Sequence, residues 1–215
     1  MNPLRLAVLL SGSGTTLQNL IDHIAAGKLH AIIVVVIGSR PDAYGLERAK
    51  QYGLEAICIP RRAYRHAQAY DKELDRTLER YTPDLIVLAG YLHLFRFAPQ
   101  YRGRVMNIHP ALVPAFSGKG FYGLRVHQAV LEAGVKLTGC TVHFADEAYD
   151  HGPIIVQRAV PVLEHDTPHT LAQRVFVEEC HAYPEAIQLF AEGRLQIEGR
   201  RVRILGPREA ANNIT

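Results

Sequence analysis

The sequence predicts an α/β fold with a mostly parallel, twisted sheet, helices on both faces and an antiparallel C-terminal portion. Two patterns support this prediction. In the first half, short apolar runs alternate with segments whose apolar residues recur at helical spacing. In the second half, two β-branched segments flank a loop rich in Gly, Pro and Asp, which favours antiparallel pairing.

The first half opens with a predicted strand at residues 4–10, which is apolar apart from Arg5, as buried parallel strands are. A helix is predicted next at residues 15–26, because its apolar residues fall on one face and Gly27 follows it. Later strands are predicted at residues 31–37, 56–59, 85–89 and 105–108, and later helices at residues 44–52 and 67–81.

The second half has fewer and longer predicted elements. They are a helix at residues 124–133, strands at 138–144 and 154–160, a helix from Thr167 to about residue 191, and a small hairpin of residues 195–197 and 202–204. The tail after Pro207 is expected to be frayed. The length of 215 residues suits a single domain with one core, or at most two tightly joined halves.

Composition argues against several classes of protein. The formal charge of +3 is too small to indicate nucleic-acid binding, and the arginines at positions 200, 201 and 203 are interpreted as a solvated edge. No segment has the length of a membrane span or the pattern of a signal peptide. We therefore expect a cytoplasmic protein without nucleic-acid or membrane partners.

The cysteines and histidines indicate neither a disulfide framework nor a metal site. Cys58 and Cys140 lie in apolar or β-branched runs and are expected to be buried thiols. His165 and His169 are four residues apart, but Pro168 lies between them and no carboxylate supports a zinc arrangement. No metal is expected.

The most informative segment runs from Val105 to Pro114. Asn107 and His109 are two residues apart, so their side chains point to the same side of an extended chain. The prolines at positions 110 and 114 stiffen the segment. A hydrogen-bond donor is thereby held beside a group that can change charge near neutral pH, as chemistry that creates an oxyanion requires.

A second candidate site follows the first strand. The loop Gly12, Ser13, Gly14 and Thr15 opens the first helix, where small residues let backbone N–H groups approach an anion. Leu17 stands where a dinucleotide fingerprint has its third glycine, and Gly-Lys-Ser/Thr is absent. The loop is interpreted as a monophosphate site, with a tight strand–helix turn as the alternative.

Two carboxylates are of interest. Asp150 lies in an Asp- and Gly-rich turn and matters only if it reaches His109, where a carboxylate would raise the imidazole pKa and orient the ring. Glu179 falls in the middle of an apolar helical stripe, so it requires a partner or faces a cleft. A buried salt bridge is the alternative for Glu179, and Arg174 with Glu178 is interpreted as a helical ion pair.

Together these residues resemble the folate-dependent formyltransferases, and within them the phosphoribosylglycinamide formyltransferase family. The resemblance runs from about residue 4 to residue 195. The Asn107-Ile108-His109-Pro110 segment is specific for the superfamily, while the phosphate loop, the chain length and Glu179 narrow it to that family. The other shared segments are residues 43–49, 84–91, 139–144 and 150–153.

The resemblance implies a Rossmann-like formyltransferase fold and transfer of the formyl group of 10-formyltetrahydrofolate to glycinamide ribonucleotide in de novo purine synthesis. It implies a single domain with a phosphate-binding half (about 1–104), a catalytic and folate-binding half (about 105–205) and a tail (206–215). It also implies no covalent enzyme intermediate. The partners would be these two small molecules, and a homodimer is left open.

The resemblance also implies roles for individual residues. Asn107 would stabilise the oxyanion, His109 as an imidazolium would assist the leaving N10, and Asp150 would take the amine proton. Gly12, Ser13, Gly14 and Thr15 would bind the phosphate, and Glu179 and Pro110 the rest of the ribonucleotide. Folate would be bound by Tyr91, Leu92, His93, Leu94, Asn107, Val142, Ala145 and Asp146.

Some positions depart from the commoner family pattern, and other functions compete. Thr16, His93, Arg125 and His151 differ from the usual residues, which puts substrate affinity in question more than reaction type. Residues 116–122 are interpreted either as a loop that closes over substrate or as a solvated loop. A formyltetrahydrofolate hydrolase is the principal alternative. Methionyl-tRNA formyltransferase and a phosphate-binding module without activity are weaker ones, and the additional domains of the two related enzyme families are not expected here.

Overall fold

The computed structural model describes residues 2–207 and residue 209 of the 215-residue chain. The chain divides into two compact units, Met1–Met106 and Asn107–Thr215. The single-domain organisation expected from the sequence stays a prediction. Most of the tail that was expected to be frayed lies outside the described residues.

The first unit is built on parallel strands. Its elements are β1 (Leu4–Leu10), α1 (Thr15–Ala25), β2 (Ala31–Gly38), α2 (Tyr44–Gln51), β3 (Ala56–Cys58), α3 (Ala67–Tyr81), β4 (Leu85–Leu88) and the first residues of β5 (Val105–His109). Four strands follow the order β3-β2-β1-β4, and each neighbouring pair is parallel. This order makes β1 a central strand.

The burial of β1 agrees with that central position. Residues 6–10 of this strand are fully buried, which accounts for the unbroken apolar run in the sequence. Helix α1 buries the side chains of Leu17, Leu20 and Ile21, as its apolar face predicts. At the end of β1, the Ser11 N–H donates to the Gly90 carbonyl at 3.1 Å, so the segments after β1 and β4 lie side by side.

The second unit contains the antiparallel strands. Its elements are the remainder of β5, α4 (Leu124–Glu132), β6 (Leu137–Phe144), β7 (Ile154–Pro161), α5 (Pro168–Ala191), β8 (Leu195–Glu198) and β9 (Arg201–Ile204). The strand order is β5-β6-β7-β9-β8, with β6 antiparallel to β7 and β8 antiparallel to β9. Helix α5 packs on β6 and β7, and it begins with a capping box formed by Thr167 and Thr170.

Two expectations from the sequence are wrong. Cys58 is exposed, because it ends the three-residue strand β3 at the edge of the β3-β2-β1-β4 order, whereas Cys140 in β6 is buried. Arg174 and Glu178 do not pair with each other. The structure instead pairs Arg174 with Asp166 at 2.5 Å and Glu178 with Arg158 at 3.3 Å.

Among the described residues, no helix is both long and apolar enough to cross a membrane.

Candidate active site

Three of the residues singled out in the sequence meet in the second unit. Asn107 and His109 lie on β5, and strand periodicity directs both side chains to the same side. Asp150 approaches from the loop between β6 and β7. Its Oδ2 lies 3.4 Å from His109 Nδ1, and its Oδ1 accepts a hydrogen bond from Asn107 Nδ2 at 3.2 Å. One carboxylate therefore contacts both the amide and the imidazole.

The backbone around Asp150 is constrained. Asp150 has a φ of 50°, in the left-handed region that few residues with a Cβ adopt. The Gly118 N–H donates to Asp150 Oδ2 at 2.8 Å. Two residues further on, a Cβ on Gly152 would lie 1.9 Å from the Phe144 carbonyl oxygen, so only glycine fits there. These contacts hold the carboxylate in place.

His143 was missed in the sequence, although it contacts this cluster. Its ring is 1% exposed on β6, with Nδ1 at 2.8 Å from the Phe144 carbonyl oxygen and Nε2 at 3.1 Å from Asn107 Nδ2. The shared segment 139–144 contains His143, but the strand pattern gave no reason to separate this residue from the surrounding core.

Burial decides the charge of His109. Burial lowers its pKa, while the Asp150 carboxylate and a contact of 2.8 Å between Nε2 and the Phe116 carbonyl oxygen oppose that effect without cancelling it. The Asp150 carboxylate raises the pKa of this imidazole, as the sequence predicts, but desolvation of the cation outweighs that effect and the net pKa is lowered. His109 is neutral at pH 7 in this state.

Asp150 is ionised at neutral pH. Burial by itself would raise its pKa, but the proximity of the His143 and His109 rings and the hydrogen bond from the Gly118 N–H together hold the pKa below its usual value. A carboxylate with that pKa is available as a proton acceptor.

In the segment of residues 116–122, the first positions contact the candidate active site. The carbonyl of Phe116 contacts His109, and the N–H of Gly118 contacts Asp150, whereas Lys119 is exposed. Arg125 lies at the exposed start of α4, with its guanidinium over the Tyr122 ring at 5.1 Å from the centroid.

His127 on α4 is a further buried histidine of the second unit. It is 3% exposed, and its Nδ1 has no hydrogen-bond partner among the described residues. Burial, and then the proximity of the His109 charge, lowers its pKa to about 4. His127 is therefore neutral at pH 7.

The predicted phosphate loop lies in the first unit. Gly12, Ser13 and Thr15 are exposed, and Gly14 has a φ of 73° with no room for a Cβ beside Gly45. The first intrahelical bond of α1 runs from Gln18 N to Gly14 O, so the N–H groups of residues 15–17 lie at the open start of the helix. This is a geometry that suits an anion.

A basic residue that the sequence reasoning missed lies beside this loop. Arg48 Nε donates to the Ser13 carbonyl at 2.9 Å and Nη1 to Gln18 Oε1 at 3.3 Å. Residues 43–49 were one of the shared segments, but spacing alone did not assign Arg48 to the loop. Thr16 is only partly exposed at the second position of α1.

The predicted folate residues of the first unit differ in accessibility. Tyr91 is buried and its hydroxyl donates to the Tyr70 hydroxyl at 2.9 Å, while Leu92 is exposed. His93 packs edge-on against Tyr70 and Tyr91, and burial lowers its pKa, with the Arg61 charge as a smaller cause. Leu94 is half-buried.

The predicted folate residues of the second unit also differ in accessibility. Val142 is fully buried in β6, whereas Ala145 and Asp146 are half-buried after it. Asp146 accepts hydrogen bonds from the Ala148 N–H at 2.9 Å and from His151 Nδ1 at 2.7 Å. Arg200, at the turn between β8 and β9, contacts His151 through its ring and its carbonyl.

Glu179 forms no ion pair within residues 2–207 and 209, so the expected alternative of a buried salt bridge is wrong. Glu179 is half-buried on α5, and burial of its carboxyl raises its pKa to about 7. Pro110 is half-buried directly after β5.

Among the described residues, no group of three or more His, Cys, Asp or Glu is arranged to hold a metal ion.

The comparisons with known proteins agree on the class of protein to which this chain is similar. The formyl transferase family model matches residues 4–187. Phosphoribosylglycinamide formyltransferase of Escherichia coli K12 is 36% identical over 95% of each chain. The crystal structure of glycinamide ribonucleotide transformylase 1 from Symbiobacterium toebii is 50% identical, covers 95% of each chain and superposes with a TM-score of 0.88, which confirms the predicted fold class.

A different kind of relative is much longer than this chain. The trifunctional purine biosynthetic protein adenosine-3 of Drosophila melanogaster is 43% identical over 88% of this chain, which spans 14% of that protein's length. The chain belongs to the formyl transferase family, and within it to the phosphoribosylglycinamide formyltransferases.

Proposed function

We propose that the protein transfers the formyl group of 10-formyltetrahydrofolate to the amine of glycinamide ribonucleotide. The products are formylglycinamide ribonucleotide and tetrahydrofolate, in de novo purine biosynthesis. The observation that carries the proposal is the contact of Asp150 with both His109 and Asn107, in a chain of the formyl transferase family.

The chemistry needs a donor, an acid and a base around one carbon atom. The amine attacks the formyl carbon, and the C=O electrons move to the oxygen, which Asn107 Nδ2 stabilises by a hydrogen bond. Asp150 accepts the amine proton, through water. When the oxyanion collapses, the bond to N10 breaks, and His109 protonates that nitrogen.

His109 must gain a proton before the bond to N10 breaks. The proton that Asp150 accepts from the amine supplies it, because Asp150 Oδ2 lies 3.4 Å from His109 Nδ1. His109 is neutral in the unliganded protein because its surroundings disfavour a cation. A developing oxyanion adds a negative charge near the ring, beside Asp150, and therefore raises the imidazole pKa at the step in which N10 leaves. This supports His109 as the acid in spite of its resting state.

Two further sites would bind the acceptor substrate. Gly12, Ser13, Gly14 and Thr15 offer backbone N–H groups and a helix start to the ribonucleotide phosphate. Glu179 would bind the glycinamide end, where a cationic amine favours the ionised carboxylate over the protonated form. Pro110 would contact the same substrate beside the catalytic segment.

The formyl donor is a co-substrate and no metal is required. We propose that the pterin contacts Tyr91, Leu92, His93, Leu94, Asn107, Val142, Ala145 and Asp146. Because the Val142 side chain is fully buried, its contribution would come from the backbone. A cytoplasmic location and a homodimer remain predictions, as does the absence of nucleic-acid and membrane partners.

An assay with a 10-formyl folate tests the function directly. Release of the folate product is followed with and without glycinamide ribonucleotide. Turnover that requires the ribonucleotide, together with a formylated product, supports the transferase. Equal turnover without the ribonucleotide would instead identify the protein as a hydrolase, and no turnover would contradict both activities.

A further inference from the structure

His143 is an almost fully enclosed polar residue that contacts the proposed catalytic residue Asn107. Its ring lies on β6 with 1% exposure, and both ring nitrogens have partners. Nδ1 is 2.8 Å from the Phe144 carbonyl oxygen, and Nε2 is 3.1 Å from Asn107 Nδ2 and 3.8 Å from Asp150 Oδ1. The mechanism proposed above gives this residue no role.

The Phe144 carbonyl fixes the tautomer of this ring. A carbonyl oxygen only accepts hydrogen bonds, so Nδ1 of His143 must carry the hydrogen. In the neutral ring, Nε2 then presents a lone pair and its partner has to be a donor. Asn107 Nδ2 meets that requirement, whereas a carboxamide turned by 180° would place its oxygen against the lone pair.

The orientation of Asn107 follows from this pairing. One hydrogen of Nδ2 points to His143 Nε2, and the other points to Asp150 Oδ1 at 3.2 Å. The second hydrogen can form its hydrogen bond with another acceptor instead. In a buried site, a donor that is already oriented avoids the cost of reorganisation during the reaction.

We propose that His143, as the neutral Nδ1–H tautomer, is a positioning residue that holds the Asn107 carboxamide with its N–H group directed at the reacting formyl oxygen. This role rests on the proposed formyl transfer. It also connects two steps. When the Asn107 N–H group exchanges its hydrogen bond to Asp150 Oδ1 for one to the oxyanion, that carboxylate oxygen becomes free to accept the proton of the attacking amine.

The first test separates kcat from KM. His143→Leu removes both nitrogens and is expected to lower kcat about 10- to 100-fold, with KM for both substrates changed less than about threefold; loss of a whole oxyanion donor costs about 100- to 1,000-fold. His143→Gln keeps an oxygen acceptor for Asn107 and should recover at least threefold of the loss. His165→Leu, at an exposed histidine of the same unit, is the matched control.

A double-mutant cycle tests whether His143 acts through Asn107. In an Asn107→Leu background, His143→Leu should reduce kcat less than about twofold further, because the amide it orients is gone. Equal losses in both backgrounds would overturn the proposal. So would a kcat of His143→Leu within twofold of the unsubstituted protein.

The tautomer gives a readout that does not depend on activity. ¹⁵N NMR of histidine-labelled protein at pH 7 should show His143 neutral with the hydrogen on Nδ1. An Nε2–H tautomer or an imidazolium would contradict the proposed orientation even if formyl transfer is observed. If the unsubstituted protein shows no ribonucleotide-dependent transfer, the proposed function fails, whatever the tautomer.

Discussion

Asp150 combines an ionised carboxylate with a restricted backbone. It accepts hydrogen bonds from Asn107 Nδ2 and from the Gly118 N–H, and its pKa stays below the usual value despite burial. Each of these contacts has a separate donor, so the position of the carboxylate does not depend on one neighbour.

Asp150→Asn is expected to lower kcat by about 100- to 10,000-fold, the range for loss of one acid–base group. The amide keeps an oxygen that accepts from Gly118, so the affinity for the ribonucleotide should change little. Steady-state kinetics and calorimetric titration of the ribonucleotide measure the two effects. Glu164→Gln replaces an exposed carboxylate in the same unit and should keep the activity. A near-normal rate of Asp150→Asn would remove this residue from the mechanism.

His127 links stability to pH through a lowered pKa. Its pKa is about 4 in the folded protein and about 6.5 in an exposed chain, so between these values the unfolded chain binds a proton that the folded protein does not. The stabilisation is fully present above pH 6.5 and is lost as the pH falls towards 4. The two values together correspond to at most about 3 kcal/mol.

His127→Gln has no titrating group and should flatten this dependence. Urea unfolding at pH 7, 5 and 4 would show the free energy of unfolding falling more steeply in the unsubstituted protein than in the variant. The comparison uses the slope with pH, since the substitution also changes stability at every pH. Parallel curves would show that His127 does not carry the effect.

At the scale of elements, the loop between β6 and β7 depends on one glycine. Gly152 brings the chain against the Phe144 carbonyl two residues after Asp150. The Arg200–His151–Asp146 contacts add to the same loop from the β8–β9 turn, but they are largely exposed and contribute little individually. The close approach of Gly152 is therefore the stronger constraint.

Gly152→Ala should shift this loop and lower kcat/KM at least tenfold, because its methyl group would overlap a backbone oxygen that cannot rotate away. Gly206→Ala is the matched control, since its Cβ would meet nothing closer than 3.6 Å and its φ is not positive. Both variants are compared by activity and by thermal unfolding. An unchanged kcat/KM for Gly152→Ala would show that Asp150 tolerates a displaced loop.

Most elements could be predicted because each has its own local signal. The apolar run of β1, the one-sided apolar face of α1 and the Thr167 cap of α5 depend on neighbouring residues alone. The ion pairs of Arg174 and Glu178 could not be predicted this way. Their partners, Asp166 and Arg158, are 8 and 20 residues away, and helical spacing carries no information on contacts across elements.

For the whole molecule, the proposal assigns phosphate binding and the chemical step to different units. The loop proposed to bind the phosphate belongs to the first unit, and Asn107, His109 and Asp150 belong to the second. Substitutions in the two sets should therefore affect different kinetic constants.

Ser13→Asp places a negative charge in the loop proposed to bind the phosphate. We expect KM for the ribonucleotide to rise at least tenfold, which corresponds to about 1.4 kcal/mol of repulsion, while kcat at saturation falls less than about threefold. Ser13→Ala is the control and should change both constants little, because the loop offers mainly backbone N–H groups. A KM unaffected by Ser13→Asp would exclude this loop as the phosphate site.

The sequence by itself determined the succession of strands and helices along the chain, the position of Asn107 and His109 on one side of β5, and the family. These depend on residue types at short spacing and on segments that can be compared directly. Only the tertiary structure decided the contact of Asp150 with that pair, the net lowering of the His109 pKa and the enclosure of His143. Such properties depend on which distant residues exclude water from a group, and that is settled by packing alone.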